Sequence, residues 1–274
     1  MVNILVPTDF SDLSKVAVQY AVKIANMLNG NVTLLHVVSV TQTVRATMQL
    51  KMKSLEQDLI KYAKEDLESL LEEVSEYVKT TQPIKYKVVR GTSFNDTVRK
   101  EAKRLRTGLI VMGTHGASGL KKVVIGSNTA SIIEISHVPV LAVPERAEFK
   151  TLQNIVYASD LRNLEKELKI LIPYVEKFGS TVHLIHIVRS GKDVPDFEDK
   201  IDLVIRKAGY KNIVPLVLVD ENVDEAIDQY VNLVRADLLT MFTHELSFYE
   251  KLFDRSFTRR MAFHSKIPLL AFKQ

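Results

Sequence analysis

At 274 residues, against the ~150 of a typical domain, the chain predicts two domains. Hydrophobic residues at 46% and charged residues at 26% exclude disorder, collagen-like sequence and a coiled-coil rod, and the absence of cysteine excludes disulfide frameworks, thiol nucleophiles, thiolate zinc sites and iron-sulfur clusters. A formal charge of +4, mixed along the chain, leaves no footprint for nucleic acid or a membrane surface.

In chain order, short apolar runs alternate with helical patterns. Val2 to Val6 reads as a buried strand. From Ser11 to Asn29, Leu13, Val16, Ala17, Tyr20, Ala21, Ile24 and Leu28 fall on one helical face, with Gly30 as the expected C-terminal cap. Val32 to Val38 is a second strand. Val44 to Val78 is charged and amphipathic, one long helix or two, and its Lys/Glu alternation from Lys51 to Lys79 reads as a solvated face. Ile84 to Arg90 is strand three; Ser93 with Asp96 forms a capping box for a helix that turns Phe94, Val98, Ala102 and Leu105 inward. Leu109 to Met112 is strand four, a glycine-rich loop follows, a helix starts at Ser127, and Val138 to Val143 is the last strand. Five strands alternating with four helices predict a parallel, doubly wound α/β sheet. The longest uncharged run, Asn26 to Val44, holds Asn26, Asn29, Gly30 and Asn31, so no membrane span is expected. Met1 to Val6 is too short for the apolar region of a signal peptide, and the expected location is cytoplasmic.

The pattern then repeats. Asn3-Ile-Leu-Val-Pro-Thr-Asp9 aligns with Asn154-Ile-Val-Tyr-Ala-Ser-Asp160, and His36-Val-Val38 with His186-Ile-Val188. Met112-Gly-Thr-His115 matches Met241-Phe-Thr-His244, and His137-Val-Pro-Val-Leu-Ala142 is echoed by Lys266-Ile-Pro-Leu-Leu-Ala271. The offset falls from 151 to 129, with the shortening between strands two and three. The chain is therefore a tandem duplication, residues 1–146 and 151–274.

Gly113, Gly116, Gly119 and Gly126 fall in one fourteen-residue window after strand four. Glycines there let backbone amides approach a ligand, and a helix beginning at Ser127 aims its free amides at the same place, which is the physics of a phosphate cradle. Lys121 and Lys122 add charge, and Ser127, Asn128 and Thr129 add donors. A surface loop of simple turns is the other reading, and the Gly-Ser at a helix start favours phosphate. Neither a Walker loop nor a Rossmann fingerprint is present.

Gly113, two residues, Gly116, nine residues, then Gly126-Ser127 resembles the ATP-binding branch of the universal stress protein family, as do Val-Pro-Thr-Asp9 and the Val-Pro-Val-Leu-Ala-Val-Pro ending. The resemblance covers the first half and, more weakly, the second. It implies two tandem five-stranded sheets of adenine nucleotide alpha hydrolase-like fold, strand order 3-2-1-4-5. The family pattern further implies that Pro7, Thr8 and Asp9 line the adenine and ribose end and that Val38 closes over the base. Met112 and Gly113 would lie beside the ribose, with Gly116, Gly119, Gly126, Ser127, Asn128 and Thr129 around the phosphates. The implied ligand is ATP, with ADP or AMP as alternatives and Mg²⁺ joining through the phosphates. Asp9 also reads as a helix N-cap, and His115 either as a phosphate contact or as a brace of the loop. Single-domain members of the family dimerise by the last strand. The resemblance thus implies pairing of Val138 to Val143 with Ile267 to Phe272 within this chain, which covers two open edges; a further homodimer stays open.

In the second half the glycine positions become Phe242, Glu245, Phe248 and Arg255, while Ser127 is matched by Ser256. No nucleotide is expected there, and Asp160 is left with a capping role. His183 and His186, three apart on a strand, face opposite ways and read as structural, with no metal site. Neither a Ser-His-acid set nor a carboxylate pair stands out. Three functions compete: a nucleotide-binding stress sensor or regulator, a ligand-free interaction scaffold drawing on Phe242, Phe248, Phe253, Phe257 and Phe263, and an ATP-dependent enzyme with at most weak hydrolysis.

Overall fold

The computed structural model describes residues 1–39, 46–79, 83–114, 127–191, 194–243 and 267–273, in two units, Met1–Arg146 and Ala147–Phe272. The first unit runs β1 (Asn3–Pro7), α1 (Asp12–Leu28), β2 (Asn31–Val38), α2 (Ala46–Ser75), β3 (Lys85–Arg90), α3 (Phe94–Arg104), β4 (Leu109–Gly113), α4 (Ser127–Ile135) and β5 (Val140–Val143). Its strands are parallel in the order β3-β2-β1-β4-β5. The second runs β6 (Asn154–Ala158), α5 (Leu164–Phe178), β7 (Thr181–Val188), α6 (Val194–Ala208), β8 (Ile213–Val219), α7 (Val223–Leu233), β9 (Leu238–Thr243) and β10 (Leu269–Lys273), in the matching order β8-β7-β6-β9-β10.

The central strands are buried along their length, Ile4 to Val6 and Leu109 to Met112 in the first unit, Ile155 to Tyr157 and Leu238 to Met241 in the second. This is the continuous apolar run of a sheet covered on both faces. α1 buries the predicted stripe except Val16, which is half-buried, and adds Ser14, Val18, Val22 and Ala25. Its left-handed C-cap is Asn29 (φ 48°), not Gly30, because asparagine tolerates that conformation. Gly30 answers a different need: a Cβ there would lie 2.7 Å from the carbonyl oxygen of Val2. α2 is a single helix of 30 residues that buries Ala63, Leu67, Leu70 and Val74. Its counterpart α6 has 15 residues, which accounts for most of the shortening of the second repeat.

At α3 half of the predicted capping box forms. The Ser93 hydroxyl accepts from the Asp96 amide at 3.3 Å, but the Asp96 carboxylate pairs with Arg99 at 3.2 Å. β5 begins at Val140, since the Ser136 hydroxyl donates to the Val138 carbonyl and accepts from the Val138 amide, holding that residue in a turn. Among the described residues no helix is long and apolar enough to cross a membrane.

Candidate functional site

The winding of the first sheet reverses between β1 and β4, and the carboxyl ends of strands at such a point form a crevice. β1 pairs with β4 at Ile4↔Leu109 and Leu5↔Ile110 and no further, although both strands continue. Pro7 supplies the cause. The Thr8 amide donates to Leu35 of β2 at 2.9 Å; amides alternate sides along a strand, so the donor that Pro7 lacks is the one facing β4. The ladder stops there, and Pro7, Thr8, Met112 and Gly113 lie at the carboxyl ends of the two strands.

The turn leaving β1 is rigidly built. Thr8 is buried, its hydroxyl paired with the Ser14 hydroxyl at 2.9 Å and accepting from the Phe10 amide at 3.1 Å. His36 Nδ1 bonds the Thr8 carbonyl at 2.9 Å, and the His36 ring stacks on Phe10 at 4.6 Å. Phe10 takes a left-handed φ of 65° to make the turn. Asp9 is exposed and does not cap α1. The cap is Ser11, whose hydroxyl accepts from the Ser14 amide at 3.2 Å, while the Asp9 carboxylate accepts from the Ser11 amide and hydroxyl at 3.2 and 2.6 Å. An Asp two residues before a Ser-x-x start braces the capping residue instead of replacing it.

On the β4 side, Gly113 owes its identity to packing, because a Cβ would come within 2.7 Å of Leu13 Cγ. Thr129 is buried and donates from its hydroxyl to the Gly113 carbonyl at 2.7 Å, which pins the start of α4 to the end of β4. That hydroxyl has spent its proton, so the group Thr129 offers an anion is its backbone amide. Ser127 and Asn128, in the first turn, are exposed. Val38 is buried at the end of β2. His115, Gly116, Gly119 and Gly126 lie outside the described residues, as do Lys121, Lys122, Glu245, Phe248, Arg255 and Ser256. Sequence reasoning missed Ser11, Ser14 and Phe10, and passed over His36, whose signal was its echo in His186.

From Val38 a cavity of ≈ 570 Å³ extends along the ends of β2 and β3, lined by Val89, the turn Arg90 to Ser93, Lys100 of α3 and Glu56 of α2. Glu56 holds Arg90 at 2.6 Å. Glu101, at the cavity's inner wall, pairs with Lys87 at 2.6 Å and Arg104 at 3.0 Å; burial nonetheless raises its carboxyl above the ordinary range. Among the described residues no group of three or more metal-ligating side chains is assembled.

The second unit shows the same place filled. β6 and β9 stay paired through Ala158↔Met241. Phe242, where the first unit has Gly113, is buried, stacked on Phe272 at 4.5 Å and edge-on to Tyr157 at 5.6 Å. Below it, buried Glu167 accepts from the hydroxyls of Tyr157 and Ser159. Burial and the Glu167 charge hold the Tyr157 phenol well above its usual range, so it remains a donor. Asp160 does not cap α5. It accepts from the Arg162 amide at 3.0 Å and pairs with its guanidinium at 3.3 Å, and the N-cap is Asn163. His183 and His186 are structural, bonded to the Tyr230 hydroxyl at 3.0 Å and the Ser159 carbonyl at 2.8 Å.

The model of the universal stress protein family matches residues 1–144 and again 152–273. The universal stress protein Slr1230 of Synechocystis sp. is 26% identical over the whole of both chains. Universal stress protein MJ0531 of Methanocaldococcus jannaschii is 31% identical over 52% of this chain and 81% of its own. A crystal structure of a universal stress protein from Archaeoglobus fulgidus superposes with a TM-score of 0.74 at 18% identity, covering 99% of this chain and 98% of that one.

Proposed function

The chain belongs to the universal stress protein family, and on that premise we propose that its first unit binds one adenine nucleotide, ATP with ADP or AMP as alternatives, and acts as a stress-response sensor or regulator in the cytoplasm. The observation that supports this reading is the start of α4, pinned by the Thr129 to Gly113 bond beside the carboxyl ends of β1 and β4, where the winding of the sheet reverses. The first amides of a helix have no partner within it and favour an anion. In this reading Pro7, Thr8 and Asp9 receive the adenine and ribose, Val38 covers the base, and Met112 and Gly113 flank the ribose. His115, Gly116, Gly119, Gly126, Ser127, Asn128 and the Thr129 amide hold the phosphates. Mg²⁺ would join through the phosphate oxygens and neutralise their charge. With no residue assigned to activate water, hydrolysis is at most slow.

Calorimetry tests this directly, with one site per chain expected. At a hundred times its dissociation constant the ligand adds about 2.7 kcal/mol to stability, a readable thermal shift. Gly116→Glu with Gly126→Arg, the residues of the second unit, should weaken binding at least about a hundredfold in a folded protein. Two sites per chain, or none for ATP, ADP and AMP, would sink the reading.

We further propose that β5 and β10 pair within the chain. Each is the outer strand of its own unit's order and carries an apolar run, Val140 to Val143 and Leu269 to Phe272, the kind of edge that aggregates unless covered. The chain has no native cysteine, so single cysteines placed along each strand should cross-link within one chain under mild oxidation. Cross-links confined to pairs of chains would refute the pairing.

A further inference from the structure

Resting on the nucleotide reading above, we infer that the first unit accepts purine nucleotides extended on the far edge of the base, and that the cavity beyond Val38 holds the extension. Along the carboxyl edge of the sheet the order is β4, β1, β2, β3. A nucleotide with its phosphates at the start of α4, beside the end of β4, and its ribose over the ends of β4 and β1 runs toward β2, where Val38 stands. Its base therefore leads, and the exocyclic edge faces the ends of β3 and α3. There the described residues leave a space. Val38 is both the residue that covers the base and the first wall of a cavity of ≈ 570 Å³, in the size range of small-molecule sites and larger than an unsubstituted amino group needs.

The lining selects the chemistry of the extension. Only Val38 and Val89 are apolar; Glu56, Arg90, Asp96, Lys100 and Glu101 bring charges of both signs, and Thr92 and Ser93 bring hydroxyls. Among the described residues, Glu56, Arg90, Asp96 and Glu101 are in ion pairs. A large apolar tail would strip water from these groups without replacing its hydrogen bonds, at a net cost. A charged tail would compete with pairs already made. A short, neutral, hydrogen-bonding substituent on the exocyclic amine satisfies the lining without either cost.

Calorimetry on the full chain compares ATP with ATP bearing a hydroxyethyl group on N6 and with ATP bearing a benzyl group there. The hydroxyethyl compound should bind within about threefold of ATP and the benzyl compound at least about tenfold more weakly. Thr92→Trp, on the exposed turn after β3, fills the cavity from its rim; it should cut affinity for the hydroxyethyl compound at least about tenfold and leave ATP within about threefold. Lys100→Trp, on the exposed side of α3, repeats the test should the first variant fold poorly. A tenfold loss for the hydroxyethyl compound in the parent protein would overturn the inference and leave the nucleotide reading standing. Equal weakening of both compounds by the filling variants would overturn it in the same way. Failure of ATP itself to bind would overturn both.

Discussion

The two units wind alike and differ most where β1 meets β4 and β6 meets β9. In the first, pairing stops at Leu5↔Ile110; in the second it runs on to Ala158↔Met241. Counted back from the left-handed caps Asn29 and Gly179, Leu13 of the first unit becomes Asn163 and Ala17 becomes Glu167. Bulk has thus moved from the start of the helix to the end of the strand. Leu13 over Gly113 gives way to Asn163 and a buried Phe242, and the space beside the small Ala17 is taken by Glu167 with its hydroxyl partners. A duplicated fold can change the residues at this strand end without losing its winding, because those residues are few and the apolar strands that specify the sheet are untouched.

The sharpest way to break the second unit's solution is Glu167→Ala. It leaves a cavity in the core and deprives two buried hydroxyls of their acceptor, for an expected loss of about 3 kcal/mol. Chemical denaturation should show this loss in the second unit, while nucleotide affinity of the first is unchanged. A neutral result would mean that the carboxyl contributes nothing to filling the old crevice.

Pro7→Ala tests the other side of the comparison. Restoring the donor toward β4 should let the ladder advance to Met112, as Ala158 does opposite Met241, and tie down the end of β1. Nucleotide affinity should fall about tenfold, near 1.4 kcal/mol, with the new amide at residue 7 protected from exchange. Unchanged affinity alongside a protected amide would separate the ladder from binding.

The smallest expected effect is at the first turn of α7, where Asp224 replaces the first unit's Asn95. Burial, with Asp228 and Glu225 adding repulsion, raises its carboxyl from 3.8 to about 6. Between those values the folded chain binds more protons than the unfolded one, so this group's contribution falls as pH rises from about 4 and is fully unfavourable above about 6. Asp224→Asn should therefore stabilise at pH 7.5, by less than about 1 kcal/mol for a partly exposed, screened group, and the gain should vanish near pH 4. An equal gain at both values would rule out charge as the cause.

The sequence alone determined the two-fold repeat, the α/β alternation and the family. Those features rest on local spacing: apolar runs that can only be buried strands, helical periodicity, and Gly-x-x-Gly with a distant Gly-Ser. The strand order came with the family resemblance, and the structure bears it out in both units. Caps were less legible. Asn29 in place of Gly30 and Ser11 in place of Asp9 depend on which residue adopts a left-handed or extended conformation at one step of the chain, a matter of the backbone dihedrals at one residue and not of pattern. Why particular residues matter depends on the tertiary structure. Gly113 is small because Leu13 of α1 arrives from a hundred residues earlier, the Thr129 hydroxyl is committed to a strand end, and Pro7 ends the β1/β4 ladder because its missing donor faces β4 and not β2. Each of these turns on which elements meet, and the meeting is fixed by long-range packing that no local window of sequence contains.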